Sequence, residues 1–380
     1  MIRFHAVRLL GPSGLSGPQT IDIDTDGEVV DRDATGLILS PGWVDLHAHL
    51  RDPGFPESET LASGTASAAA GGFTHIVAMA NTNPVIDQPS LVSALLARAD
   101  AMPVRVSVVA ALTARLEGRT LTDAAALQRA GAVALSDDGR HAMDLPTLTR
   151  GLRAAARVGL PVLVHGQIEA FGRDPAAEDA GVAQALEALS EAPGARLHLQ
   201  HVSTKKAVER LRTAKAAGLA VTAEATPHHL ALSAADVRNG DPNVSPPLRT
   251  GHDRDAVVEA LIDGVIDVIA TDHAPHSLAA KAAGANGYHG FEIAAGVALG
   301  LHLPWTVLHR ATVTRPAEIL GLATGRDWIL IDPRERWTVD PARFASAGRN
   351  TPFAGRQLHG RVVMTLCRNR VVHREASLVG

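Results

Sequence analysis

The sequence predicts an α/β fold, a closed parallel (β/α)8 barrel carrying a small β domain built from both chain ends. Three observations lead there. Eight short, nearly unbroken apolar runs recur through the middle of the 380-residue chain. Ala-rich helical stretches separate them, the pattern of strands buried on both faces. Strand-like, turn-broken texture occurs before residue 42 and returns after residue 322.

The opening segment reads as strands at 2–10, 19–23 and 36–39, broken by Gly, Pro and Asp. The first of these has charges inside its apolar run and no small-residue cleavage site behind it, so it is read as strand and turn rather than a signal peptide. The eight barrel runs are 43–46, 74–79, 104–110, 132–135, 161–164, 196–199, 219–223 and 265–270. Helical stretches such as 63–70, 148–158 and 205–217 lie between them. The span 43–322 matches the usual size of such a barrel; an open doubly wound sheet is the structural alternative. Runs at 328–331, 337–339 and 362–366 then pair with the opening strands, giving a small domain from 1–42 and 323–380. Residues 282–290 (AAGANGYHG) are the most loop-like stretch of the barrel region and read as a mobile flap.

Composition narrows the function. Hydrophobic residues make up 46% of the chain, enough for a sizeable core. Lys plus Arg is 36 and Asp plus Glu 40, a net charge of −4 that disfavours nucleic acid or an anionic membrane as partner. No apolar run reaches the roughly 18 residues of a membrane span. A soluble cytoplasmic protein acting on a small molecule is the expectation. The single cysteine, Cys367, excludes a Cys-rich metal site and reads as a small buried hydrophobe. Histidine stands out, with 18 residues against 7 Phe, 4 Trp and 1 Tyr.

The histidines fall where chemistry would need them. His47 and His49 close the first barrel run, and residues two apart on a strand share a face. His165 and His201 end the fifth and sixth runs and Asp272 ends the eighth, at the carboxyl ends of strands where such barrels do chemistry. Asp137 and Asp138 follow the fourth run; spacing alone does not separate these adjacent acids. Nitrogen and carboxylate ligands of this kind suit Zn²⁺. Two metals about 3.5–4 Å apart share a water and lower its pKa towards neutral, and a neighbouring carboxylate such as Asp272 moves its proton. These are the parts for hydrolysing an amide without a protein nucleophile.

PGWVDLHAHLRDPG (41–54) and ATDHAPH (270–276) closely resemble the dihydroorotase branch of the amidohydrolase superfamily. AMANTNPV (78–85), HVSTK (201–205), TAEATPHHL (222–230) and RNTPFAG (349–355) extend the resemblance along nearly the whole chain. It implies a metal-dependent hydrolase barrel with two Zn²⁺ per chain. His47 and His49 then correspond to ligands of the first metal, Asp138 to the bridging ligand, and His165 and His201 to ligands of the second. Asp272 corresponds to a first-metal ligand and the general acid/base. Arg51, Asn81 and His276 match positions that hold the substrate carboxylate and ring, with Ser245, Asn286 and Gly287 beside them. The implied reaction is reversible cyclisation of N-carbamoyl-L-aspartate to L-dihydroorotate in pyrimidine biosynthesis. A homodimer is the family-level expectation, and docking to aspartate transcarbamoylase is left open by the sequence.

The chain departs from the family pattern in four places. Gly166, Gln167 and Ile168 stand after His165 where Cys-Glu-Asp is usual, which alters the surroundings of a metal ligand. Ser245 replaces the Asn of NPPLR, Ala80 the Pro of MPNT, and Asn286–Gly287 take the place of a Pro-Phe-Gly flap. Two rival readings fit the sequence less well. Hydantoinase- or allantoinase-like enzymes carry a lysine bridge after the fourth strand, which VALSDDG (133–139) lacks. A non-catalytic partner of aspartate transcarbamoylase typically lacks the histidine ligands, which this chain keeps. His75, His141, His198, His252, His302, His309 and His359 match no motif and read as surface or packing residues. His228 and His229 read as structural or supporting residues, His289 and Tyr288 as flap residues able to touch substrate, Glu224 as orienting a ligand, and Lys205 and Lys206 as a solvated helix start.

Overall fold

The structure, a computed structural model, describes residues 1–27, 29–140, 143–237, 243–323 and 325–375; His141 lies outside them. Four strands come first, β1 (Ile2–Gly11), β2 (Gly14–Ile23), β3 (Val30–Asp33) and β4 (Ile38–Pro41). Eight follow: β5 (Trp43–Ala48), β6 (Phe73–Ala78), β7 (Arg105–Ala110), β8 (Ala132–Ser136), β9 (Val162–Val164), β10 (Leu197–Leu199), β11 (Val221–Ala225) and β12 (Val268–Ile269). Each overlaps one of the eight expected apolar runs. Three more are β13 (Trp328–Thr338), β14 (Gln357–Cys367) and β15 (Arg370–Arg374).

Strands β5 to β12 lie side by side in chain order, every pair parallel. The intervening helices start on side-chain caps. Thr60 with Ser63 forms a capping box before Leu61–Ala70, and Asp144 and Thr204 cap Leu145–Ala156 and Lys205–Ala216. Among the described residues no ladder joins β12 to β5. The ring closes instead through one bridge, Ala48 with His273, and through His49 N donating to the His273 carbonyl oxygen at 2.8 Å. Asp45 reinforces the seam, accepting from Thr271 N at 2.8 Å and Thr271 Oγ1 at 2.5 Å.

The barrel interior is layered. Val44, Leu46, Val77, Met79, Val109, Ala134, Leu163, Val268 and Ala270 form one apolar cluster with Ile319 and Leu320. A chemistry-bearing residue follows two to four positions later on five strands: Leu46 then His49, Met79 then Asn81, Ala134 then Asp138, Leu163 then His165, Ala270 then Asp272. Because the strands all run one way, these positions stack as an apolar layer beneath a polar one.

The two chain ends share one sheet, ordered β15-β14-β13-β4-β1-β2, with β3 also on β1. Its own core includes Phe4, Val7, Leu39, Leu330 and Met364. Three differences from the sequence reading stand out here. The expected runs 328–331 and 337–339 are one strand, β13, with an irregular register between Asp332 and Arg336. Strand β2 begins at Gly14, five residues earlier than expected, because Leu9 N donates to Ser16 Oγ and holds the polar start of the hairpin. Strands β3 (VDRD) and β15 (RVVHR) are mostly exposed and carry too little apolar signal to be read. Cys367 is buried as expected. Among the described residues no helix is long and apolar enough to cross a membrane.

Candidate active site

All six expected metal ligands converge. His47 lies within β5 and His49 just past it; Asp138, His165, His201 and Asp272 each follow a strand by one to three residues. None is more than 7% exposed. Asp138 divides the cluster in two. Its Oδ2 faces His47 Nε2 at 3.2 Å and His49 Nε2 at 3.3 Å, and Asp272 Oδ1 lies 3.1 Å from the same His49 nitrogen. Its Oδ1 faces His165 Nδ1 at 3.5 Å and His201 Nε2 at 3.7 Å. The ligand atoms of His47, His49 and Asp272 lie within 4.8 Å of one another, as do those of His47, Asp138 and His201. His165 enters through its Nδ1, 2.8 Å from His201 Nε2. Asp137 turns away, accepting from Thr113 N at 2.9 Å and from the Thr113 hydroxyl, so Asp138 alone of the pair faces the histidines.

The electrostatics of this cluster call for positive charge. Burial by itself would strip His47 of its proton, but Asp138, Glu224 and Asp272 outweigh it and hold the ring's pKa well above the usual value. Burial likewise opposes ionisation of Asp138 and Asp272. His47, with the other imidazoles, nevertheless keeps both far below the ordinary carboxylate range. Glu224 falls to about 2 against its own burial, again through His47 and His198. Three buried carboxylates, Asp138, Glu224 and Asp272, stand among these imidazoles, and a divalent cation would offset their charge. The donor set, imidazole nitrogen with carboxylate oxygen, fits a zinc-type metal.

The backbone at the site is strained. Arg51, His201 and Asp272 sit at φ of 56°, 36° and 45°, a region that costs a non-glycine residue about 1–3 kcal/mol. Neighbours hold Asp272 there. Thr271 is fixed by Asp45, and His273 Nε2 lies 3.2 Å from the buried Glu59 carboxylate. Glu59 also accepts from Ala347 N at 3.1 Å and from the Ser346 hydroxyl, tying the seam to the later chain.

A cavity of about 240 Å³ opens beside the cluster. Arg51, Asn81, Ser245, His276, Asn286 and Gly287 all line it, with Gly139, Arg140 and Ala274, which the sequence reading did not name. Arg51 Nε donates to the Pro275 carbonyl oxygen at 3.2 Å, and its Nη2 lies 3.0 Å from His276 Nε2. Burial, then the Arg51 charge, lowers the His276 pKa to about 4, so that ring is neutral near pH 7. Gly287 has φ of 136°, and a Cβ there would fall 2.5 Å from that of Ala274, so only glycine fits against the neighbouring wall.

The stretch read as a mobile flap is pinned at several points. Lys281 donates to the carbonyl oxygens of Asn243, Ala285 and Gly287 at 2.7–3.0 Å. Asn350, from RNTPFAG, does more. Its Nδ2 donates to the carbonyl oxygens of Ala274 (3.0 Å) and Gly287 (2.9 Å), its Oδ1 accepts from His276 N (2.9 Å), and its carbonyl accepts from His289 N (2.7 Å). Tyr288 and His289 are buried; His289 stacks on Phe344 with ring centroids 4.1 Å apart and does not line the cavity.

Other residues take supporting places. Glu224 Oε1 lies 2.5 Å from His47 Nδ1, in keeping with an orienting role. His198 is buried and reaches the second Glu224 oxygen at 3.0 Å, a support that no motif announced. His229 Nε2 lies 3.0 Å from the Pro246 carbonyl oxygen, and His75 bonds Ser107 at 2.8 Å. Lys205 and Lys206 begin an exposed helix start as read. A larger cavity of about 510 Å³, lined by Glu292, Glu335, Trp337 and Arg361 among others, lies between the helix Phe291–Gly300 and the end sheet. It holds none of the converging ligands, which lie beside the smaller cavity.

Residues 36–189 match the family described as Dihydro-orotase-like. The chain is 42% identical to the dihydroorotase of Thermus aquaticus, covering 98% of this chain and 99% of that one. It is 39% identical to the dihydroorotase of Shouchella clausii, with 92% and 91% covered. Among solved structures, the L-hydantoinase (dihydropyrimidinase) of Arthrobacter aurescens superposes with a TM-score of 0.85 at 24% identity, over 98% of this chain and 96% of that one. That likeness extends to the fold alone.

Proposed function

This chain belongs to the dihydroorotase family, and on that premise we propose that it catalyses the reversible closure of N-carbamoyl-L-aspartate to L-dihydroorotate with zinc as its metal. As a metal-dependent cyclic amidohydrolase it requires a metal centre and a place for an anionic ring. The observation that carries the reading is Asp138 facing both histidine pairs at the floor of a cavity whose wall holds Arg51, Asn81 and His276.

His47, His49, Asp272 and one Asp138 oxygen would hold one zinc; His165, His201 and the other Asp138 oxygen would hold a second. Bound there, two zinc ions would polarise the ring carbonyl and make a shared water nucleophilic near neutral pH. The rest falls to the chain itself. Arg51 offers a fixed cationic fork for the substrate carboxylate, and neutral His276 and Asn81 orient the ring beside it. The Asp272 carboxylate, kept ionised by His47 and His49, takes the proton of the attacking water. It returns that proton to the ring nitrogen as the C–N bond breaks. In the closing direction the same carboxylate carries the proton the other way. Asp138 standing where hydantoinase-like enzymes carry lysine favours dihydroorotate over other cyclic amides. Family resemblance is the support for pyrimidine biosynthesis and for a homodimer.

The test pairs metal analysis with dihydroorotate hydrolysis on one purified sample. Two zinc ions per chain with turnover that Asp272→Asn lowers about 10³-fold are expected. Bound metal with no turnover of dihydroorotate overturns the substrate assignment; no metal and no turnover after zinc addition overturns the enzyme reading.

A further inference from the structure

A carboxylate backs a ring on only one side of the cluster. On the first side His49 Nδ1 lies 2.8 Å from the amide oxygen Asn81 Oδ1, but behind His47 stands a fully buried carboxylate, Glu224 Oε1, 2.5 Å from the ring's far nitrogen. Behind His165 stands an amide. His165 Nε2 lies 2.7 Å from Gln167 Oε1, and Ser245 Oγ donates to that same oxygen at 2.9 Å. Gln167 is 2% exposed and carries no charge.

Its backbone leaves it little freedom. Gln167 N donates to the His165 carbonyl oxygen at 2.9 Å, and Ile168 N to that of Ala177 at 3.0 Å. The helix Pro175–Ser190 packs hard against this turn through Gly181. A Cβ at that glycine would lie 2.4 Å from the Gly166 carbonyl carbon and 2.5 Å from Gln167 N. The Gln167 side chain is thus fixed between a ring on the strand-β9 side and Ser245 on the loop beyond β11.

This clasp fixes which nitrogen of His165 carries the proton. An amide oxygen accepts hydrogen bonds and cannot pair with a bare ring nitrogen. With Oε1 turned to Nε2, the proton sits on Nε2 and the lone pair on Nδ1. That nitrogen faces His201 Nε2 at 2.8 Å and Asp138 Oδ1 at 3.5 Å. The acceptor behind a ligating imidazole also sets its donor strength: a carboxylate draws on the N–H and makes the opposite nitrogen more basic, and a neutral amide does so less.

We propose that the Gln167–Ser245 clasp makes this a graded metal centre. One cation is held tightly among His47, His49, Asp272 and Asp138, and a second weakly at His165, His201 and Asp138. Gln167 is the positioning residue that sets the difference. The proposal rests on the metal-centre reading above and adds an order of binding to it.

Metal-stripped protein titrated with zinc, followed by calorimetry and by equilibrium dialysis with metal analysis, reads this without any activity assay. The wild-type chain is expected to bind two zinc ions in two steps, the second at least about tenfold weaker. Gln167→Glu tightens the second step about tenfold and leaves the first within about threefold. Gln167→Leu, which removes the acceptor, weakens the second step by about 10- to 100-fold. Ser245→Ala keeps the acceptor but loses the second arm of the clasp; it is expected to weaken the second step less than Gln167→Leu does and to leave the first unmoved, so the proposal stays testable if a Gln167 variant does not fold. Two equal steps in the wild type, or Gln167 variants that move both steps or neither, overturn the grading while leaving a two-zinc centre standing. A wild-type chain that takes up no zinc overturns the metal centre itself.

Discussion

Two layers of one barrel, built on the same strands, obey opposite rules. Leu163 and Ala270 belong to the apolar cluster of the lower layer, whereas His165 and Asp272, two positions further on, sit among buried charges. The lower layer is held by close packing and needs no particular partner for any one side chain. In the upper layer almost every polar atom is specified by another, from Asp45 with Thr271 to His198 with Glu224 with His47. The contrast teaches that stability and chemistry are separable within a single strand, at a spacing of two residues.

The contrast can be tested by loading each layer in turn. The largest effect on stability is expected in the lower layer. Leu163→Ala should cost about 3 kcal/mol in urea unfolding while turnover per folded chain stays within about twofold, its side chain lying outside the cavity. A matching loss of kcat would show that the layers are coupled and break the comparison.

A smaller effect is expected from a buried acid outside the cluster. Burial raises the Glu292 carboxyl from the usual 4.5 to about 7, against hydrogen bonds from Ser67, Ser346 and Ala345. Between those two values the folded state keeps a proton that the unfolded state has lost. Stability therefore falls as pH rises from about 4.5 to 7, and the whole penalty is present above 7. Glu292→Gln removes that slope while retaining an acceptor oxygen. Unfolding followed across pH should show the variant about 2 kcal/mol more stable than wild type at pH 8 and equal to it near pH 4. A constant offset across the range would deny the titration.

The mildest effect sharpens the upper layer. Asn350→Ala frees the loop carrying Ala274, His276 and Gly287 without touching a metal ligand. KM for dihydroorotate should rise about tenfold, worth about 1.4 kcal/mol, with kcat and zinc content little changed. Loss of zinc instead would mean that Asn350 supports the metal centre as well as the loop.

The lower layer was legible because strands buried on both faces carry unbroken apolar runs, and all eight are where those runs lie. The ligands were legible because they follow those runs and because an HxH pair on one strand has few other uses. Their partners were not. Glu59 and Asp45 stand in no recognisable spacing to the residues they support, and only folding brings Glu59 within reach of both His273 and Ser346. Gln167 was visible as a departure, but what it does required knowing that Ser245 reaches the same oxygen. In the end sheet, β3 and β15 escaped because an exposed edge strand has no apolar stripe to betray it.

That end sheet bears on how the chain is made. Leu39 of β4 pairs with Leu330 of β13, residues from opposite ends of the sequence. A ribosome adding residues at ordinary rates emits β13 roughly half a minute after β4. For that interval the nascent chain carries β4 with a row of unsatisfied backbone groups along one edge, a template for pairing with another chain. Contacts so distant in sequence also make for slow folding. Biosynthesis of this protein therefore passes through a stage in which the barrel strands are already out while the sheet beside them waits for its last partner. That open edge is the surface a chaperone would need to shield until β13 emerges.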